Sequence, residues 1–470
     1  MTILARPVLD RPVEPPATAL PPDTLLTPGD RGWDSARQAF NLLVDQRPAA
    51  IAVPRDEREV AAAVRYARSR GWRVVPQSTG HGAGPLQDAL DEAMIVHTSR
   101  LDAVRIDVGN RHVRVGSGVK WGRVAPTLAE HGLAALHGSS ADVGIAGYSL
   151  GGGMGWLARR HGLQANAVTA VELVTAQGDL VRVDADHDTE LFWALRGGGG
   201  SFGVVTAVEF RVVPLPAVYA GAVFFGFDRS SEVLHTWSAM LSDLPEEMMT
   251  WATLFHFPDL PATPGPLRGG SFAVVMGAHL GTEAEGRELL DPLHRLGPVM
   301  DTFATDSPAV LADLAMEDPA EPLPYVAAHQ LLGELPEEGV DRLIEAVGPG
   351  SDAGTSLAMV QLRHTGGALA RAPRGAGARA TLPGTLSLFS LGVVEEEPDA
   401  VRVRAALDAA QAAAAPYRVG EYPNFVETPT DARSFFDPET WRRLTRAKAH
   451  YDPEDVFRGN HHVAPASGGE

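Results

Sequence analysis

The stretch Gly138-Ser139-Ser140-Ala141-Asp142-Val143-Gly144-Ile145-Ala146-Gly147-Tyr148-Ser149-Leu150-Gly151-Gly152-Gly153-Met154-Gly155 holds seven glycines. A chain this rich in glycine brings its backbone N–H groups against a ligand with no Cβ in the way. Two more clusters flank it: Gly80-His81-Gly82 with Gly84 upstream, and Gly197–Gly200 with Gly203 downstream. A Rossmann fingerprint needs G-x-G-x-x-G between strand and helix, with an acidic residue about 20 positions on. Gly151–Gly155 lacks that spacing, Gly198-Gly199-Gly200-Ser201-Phe202-Gly203 has it but runs into the strand read at 204–213 and not into a helix, and the P-loop pattern is absent. Any one cluster reads as a tight turn. Three clusters between residues 80 and 203 point to a polyanionic dinucleotide held in some other manner.

The chain around these clusters has 470 residues, more than one ordinary core accommodates, so two domains are expected. Apolar residues make up 44%, which excludes wholesale disorder. With 59 acidic and 40 basic side chains the formal charge is −19. Such a surface repels phosphate backbones and anionic lipid, so neither nucleic acid nor membrane is an expected partner. No stretch approaches the roughly 20 apolar residues needed to span a bilayer. Zero cysteine removes disulfides, thiolate nucleophiles, Cys-ligated zinc and iron–sulfur clusters. The Pro-rich N-terminus lacks the apolar middle of a signal peptide. It reads as a mobile leader over residues 1–27, and a cytoplasmic location is expected.

Residues 50–76 read as strand–helix–strand, a unit joined right-handedly in a parallel sheet. The helix carries Val60, Ala63, Val64 and Ala67 on one face. Short β-like runs follow at 94–98, 104–107 and 112–116, then a helix over 121–131. Residues 168–175 and 180–183 form a hairpin around Ala176-Gln177-Gly178-Asp179, and 204–213 read as another strand. Pro214 and Pro216 mark a boundary. Beyond it, strands at 221–227, 251–257, 271–279, 356–363 and 386–394 alternate with helical windows near 230–243, 282–296, 336–347 and 399–415. That spacing predicts a sheet covered on one side. The domains are therefore expected at 28–216 and 217–415. The tail, with a helix near 438–450, could join either.

His81 is the first candidate for chemistry. A lone histidine is as a rule a surface or core residue. Glycine on both sides lets this one approach a planar ligand, and a neutral imidazole is a competent nucleophile. Metal binding is not expected, because His461-His462 are adjacent and no His-Glu-x-x-His occurs. Gly147-Tyr148-Ser149-Leu150-Gly151 fits Gly-x-Ser-x-Gly, but no strand is read just ahead of it, so the strand–turn–helix elbow of a serine hydrolase is not supported.

These pieces, with Leu191–Thr206, Tyr422-Pro423-Asn424-Phe425, Tyr451-Asp452-Pro453, Phe457 and Asn460, resemble one family in their order and spacing. The chain is similar to the berberine bridge enzyme-like flavoproteins of the vanillyl-alcohol oxidase/PCMH-type FAD superfamily. The resemblance implies an α+β fold with a two-subdomain FAD-binding domain. It adds a substrate domain whose antiparallel sheet is covered by helices, and it assigns residues 416–470 to the FAD-binding domain. It places the covalent bond to the flavin 8α-methyl group on His81. Many members add a second bond from a cysteine, and that position is Ser140 here. One tether is therefore implied, and with it a weaker oxidant than a doubly attached flavin. The implied FAD contacts are Gln77, Ser78, Thr79, Gly80 and Gly82, then Gly138, Ser139, Ser140, Val143, Gly144 and Gly147. Gly203, Val204, Val205 and Asn460 complete the set.

Many members use the second tyrosine of Tyr-x-Asn-Tyr as a base, but Phe425 stands there, and Met154 stands where another tyrosine often follows the triple glycine. Tyr422 and His364 are the catalytic candidates, with His462 and Tyr148 behind them. An unperturbed tyrosine titrates near pH 10, so basicity at Tyr422 would need a nearby cation. The implied activity is an FAD-dependent oxidase that removes hydride from a small organic substrate, with dioxygen as electron acceptor and hydrogen peroxide as product. The Ala-, Arg-, Gly- and Pro-rich usage suggests a high-GC bacterial source, where enzymes of the resembled family often tailor natural products. The alternatives are a non-redox cyclase that keeps FAD as a structural wall and a flavin-free binding module. Substrate and oligomeric state have no readable code.

Overall fold

The computed structural model describes residues 20–466 apart from 22, 262, 317–320, 352 and 354–355. Its first sheet grows from the strand–helix–strand unit. Asp56 caps the helix Glu57–Ser69 by accepting from the Arg58 and Glu59 N–H groups. Val60, Ala63, Val64 and Ala67 bury its inner face. The flanking strands Ala50–Ala52 and Arg73–Gln77 are parallel but not neighbours, because Ala93–His97 lies between them and pairs with both. The strand Arg73–Gln77 ends at the loop that carries His81. Ligands of parallel sheets sit at this carboxyl end. Most of the expected leader, residues 1–19 and 22, lies outside the described residues. Leu25–Leu26 pairs with Ile51–Ala52, so the chain enters this sheet ahead of residue 28.

The second sheet is antiparallel, in the order Val104–Asp107, His112–Gly116, Val204–Arg211, Val168–Val174, Leu180–Asp184. Its core includes Trp121, Val171, Leu195, Phe202 and Phe210. The tail packs against both sheets. The helix Pro438–Tyr451 puts Leu444 and Ala447 into that core, and Val456 and Phe457 join the core of the first sheet. Buried Lys448 ties the tail to the preceding chain, donating to Ser201 O, Phe457 O and Asp452.

The third sheet has nine antiparallel strands among the described residues. Its central run is Val218–Gly226, Ser271–His279, Met248–His256, Met359–His364, Leu386–Val393, Tyr325–Leu332. The helices Ser230–Met240, Glu283–His294, Glu337–Val347 and Glu397–Ala414 cover one face, where Trp237, Leu290, Leu343 and Leu407 meet Val223, Leu254, Val275 and Leu362. The opposite face puts Phe224, Trp251, Met276, Met359 and Phe389 against Trp156, Leu157 and Tyr422. This is the α+β architecture that the alternation of strands and helices predicts. Tyr325–Leu332 went unread because Ala327-Ala328-His329-Gln330 has no β-branched or aromatic residue to mark a strand. Among the described residues, no helix is long and apolar enough to cross a membrane.

Candidate functional site

One cavity of about 830 Å³ runs between the glycine loops and the uncovered face of the nine-stranded sheet. That is the size of an ordinary ligand pocket, roughly 300–1,000 Å³. Of the sequence-derived cofactor positions, Gln77, Ser78, Thr79, Gly80, His81 and Gly82 line it. So do Gly138, Ser139, Ser140, Val143, Gly144, Gly147, Gly203, Val205 and Asn460. Val204 does not. Alternation along its strand turns the Val204 side chain into the core with Val60, Val74 and Val174.

At one end of the cavity the loop carrying His81 is pinned by close contacts. Gly80 has φ +79°, and a Cβ there would lie 3.1 Å from Ala39 Cα. A Cβ on Gly82 would lie 2.9 Å from Asn460 Nδ2. The His81 ring stacks on Phe40 with centroids 3.8 Å apart. Its Nε2 lies 3.0 Å from Asp142 Oδ2, and the Ser140 hydroxyl donates to the same carboxylate. Burial works to raise the Asp142 pKa, but the bonds from His81 and Ser140 and the charge of Lys120 outweigh it and hold it below the usual value. Glu427 lines the cavity nearby, taking hydrogen bonds from the Tyr325 hydroxyl and from Asn41 Nδ2. Burial raises its pKa against those bonds.

The glycine-lined part fits a dinucleotide. Gln77 Nε2, Ser78 Oγ and Ser117 Oγ line it, are buried, and have no hydrogen-bond partner among the described residues. Buried polar groups without partners are uncommon, and a polar ligand supplies what these lack. A Cβ on Gly144 would crowd Ser78 Oγ to 3.0 Å. The triple glycine has another task. A Cβ on Gly151 would overlap Asn424 Oδ1 at 1.7 Å, so this turn exists to admit the Tyr422–Phe425 segment.

The opposite end is aromatic. Tyr422 lines the cavity, and its phenol oxygen accepts from Gly153 N at 2.7 Å and Asn424 Nδ2 at 2.8 Å. Arg379 and Arg363 supply the nearby cations, yet burial dominates and pushes the phenol pKa up. Burial thus favours the neutral phenol of Tyr422 over the phenolate. Phe425 packs against the guanidinium of Arg363, 4.7 Å from its ring centroid, and Trp251 holds the same guanidinium at 4.1 Å. The phenylalanine at the family tyrosine position thus forms part of a cation–aromatic stack.

His364 is not in this cavity. It alternates with Arg363 to the other face, where its Nε2 lies 2.7 Å from Arg159 Nη1 and burial pushes its pKa down to about 3. Tyr148 lines the cavity, but its hydroxyl donates to Leu136 O and burial raises its pKa. His462 pairs with Asp455 behind the wall, while its neighbour His461 faces the cavity. His461 Nε2 donates to Pro423 O, and burial pushes its pKa down to about 4. Sequence reading missed Asp142, Phe40, Glu427 and Arg363. Asp142 carried a signal, being an acidic residue inside the quoted glycine-rich stretch.

Comparison with known proteins agrees with this geometry. The FAD binding domain family matches residues 48–184. The chain is 28% identical over 459 residues to (R)-6-hydroxynicotine oxidase of Paenarthrobacter nicotinovorans, covering 94% of this chain and 96% of that protein. It is 36% identical over 189 residues to glucooligosaccharide oxidase of Sarocladium strictum, covering 40% of this chain and 38% of that protein. The structure of BBE-like 1 from Physcomitrella patens superposes with a TM-score of 0.81 at 20% identity, covering 94% of this chain and 97% of that one. Fold and site define an FAD-binding oxidoreductase. Residues 48–184 match the FAD binding domain family, and the whole chain shares the fold of the solved berberine bridge enzyme and BBE-like structures.

Proposed function

We propose that the protein is an oxidase that takes hydride from a C–H bond next to oxygen or nitrogen in a small, ring-bearing organic substrate. Its FAD is held by one covalent bond, at His81, and dioxygen is reduced to hydrogen peroxide. The observation that carries this reading is the single cavity joining a glycine-lined cleft with unpartnered polar atoms to an aromatic pocket. Bound FAD supplies the two-electron acceptor. The backbone around residues 77–82 and 138–147 fits its phosphates, and Asn460 fits as an amide partner. Residues 28–216 with 416–470 are the cofactor-binding unit in this reading, and 217–415 the substrate unit.

Phe255, Phe257, Met359, Phe389 and Phe425 enclose the substrate and exclude water. Their apolar character favours a flat, weakly polar molecule, such as a natural product, over an oligosaccharide. Tyr422 orients its surroundings through accepted hydrogen bonds and moves no proton. That neutral phenol also keeps a second reading in play, a cyclisation without net oxidation. Mixing the enzyme with its substrate under anaerobic conditions separates the two. Oxidation bleaches the flavin absorbance within one turnover, and peroxide appears when air is admitted. Product formation with an unbleached flavin selects the cyclase.

A further inference from the structure

Resting on the reading of His81 as the attachment point, we propose that Asp142 is the positioning residue for that attachment. With Ser140, it fixes His81 as the Nε2–H tautomer, aims Nδ1 at the cofactor, and takes the Nε2 proton as the bond forms. Asp142 is 9% exposed and does not line the cavity, whereas His81 and Ser140 do. It therefore touches the nucleophile and not the cofactor. An ionised carboxylate only accepts hydrogen bonds, so the 3.0 Å contact to Nε2 puts a proton on that nitrogen. The lone pair is then on Nδ1, which makes no hydrogen bond among the described residues. Phe40 stacked on the ring face removes the remaining freedom to flip.

The arrangement follows the logic of a nucleophile oriented by a base that is itself oriented by a third group. Ser140 is that third group, because its hydroxyl donates to Asp142. Serine at this position is thus more than a missing thiol, since a thiol is a weak hydrogen-bond donor. In the step itself, a bond forms between Nδ1 and the 8α-methyl carbon, one C–H bond of that methyl group breaks, and Nε2 gives its proton to Asp142. Two electrons stay with the flavin, and the two protons follow them there. Dioxygen then accepts both electrons and both protons as hydrogen peroxide.

The test uses the full-length protein and its Asp142→Asn, Ser140→Ala and His81→Ala variants, produced with limiting riboflavin and then incubated with FAD. The flavin that stays in the acid-precipitated pellet is followed over time, and the flavin released to the supernatant reports non-covalent binding. Asp142→Asn keeps the shape and one acceptor but not the charge. It is expected to bind FAD and to attach it roughly 10²-fold more slowly, the lower end of what a general base contributes. Ser140→Ala, which leaves His81 and Asp142 in place, is expected to slow attachment several-fold. Attachment at the parental rate in Asp142→Asn overturns this assignment alone. Parent protein without acid-stable flavin overturns the tether at His81 and this assignment with it.

Discussion

The two ends of the cavity are built differently. The polar chain at the His81 end comes from two short segments, 77–82 and 138–147, and runs Ser140 to Asp142 to His81, with Phe40, Tyr325 and Glu427 brought in from elsewhere. The Tyr422 end is assembled from alternate residues of separate strands, Trp251, Arg363 and Phe389, closed by Tyr422 and Phe425 from the tail. Under the proposed tether, the first end prepares a nucleophile. The second buries aromatic rings around a cation, and burial there favours the neutral form of the phenols of Tyr422 and Tyr148. A site of this kind fixes its cofactor with local chemistry and shapes its substrate pocket with long-range packing.

Exchanging residues at one end should leave the other intact, and the sharpest break is at His81. His81→Ala is expected to lose all acid-stable flavin, while Tyr422→Phe retains the parental amount, as read from the acid-precipitated pellet.

Acid stability separates the ends next. Burial pushes His329, beside Tyr422, down to about 3 and His461 down to about 4. Both are neutral when folded, whereas the unfolded chain takes up protons below about pH 6.5. Stability is therefore complete above that value and lost as the pH falls toward the folded pKa values. At pH 5 each imidazole costs about 2 kcal/mol. Urea unfolding at pH 7 and pH 5 should show this loss, and His329→Leu should remove about 2 kcal/mol of it.

Tyr422→Phe leaves the buried Gly153 N–H without its acceptor and takes one of two acceptors from Asn424 Nδ2, which keeps Tyr148 O. A loss of about 1–3 kcal/mol is expected, measured as a lower Tm. The pH profile of kcat between 6 and 9 should not change, because the phenol does not titrate there. A profile that loses a limb would restore Tyr422 as the base. The smallest effect is expected for Arg363→Lys, which keeps the charge and gives up the planar stack on Trp251 and Phe425. It should lower kcat/KM several-fold with attachment unchanged, as checked by steady-state kinetics beside the pellet assay.

The same contrast explains what could be read in the sequence. The glycine loops and His81 were legible because their residues are consecutive and glycine has few other reasons to cluster. Asp142 lay in view two residues after Ser140, and only the fold shows that it meets a side chain 61 residues upstream. The sequence does not show that His364 faces away from the cavity, because all six residues of Met359–His364 are buried and hydrophobicity marks neither face. The polar pair Gln361 and Arg363 at spacing two was the available clue to which face meets the cavity. Phe40, Tyr325 and Glu427 come from three distant segments, and no local pattern announces their meeting.

The most direct test of the central claim is the mass of the purified, acid-denatured chain, followed by peptide mapping. The account predicts the chain plus one FAD, with the added mass on the peptide containing His81 and none on the peptide containing Ser140. An unmodified chain, or flavin mapped to any other residue, would contradict it.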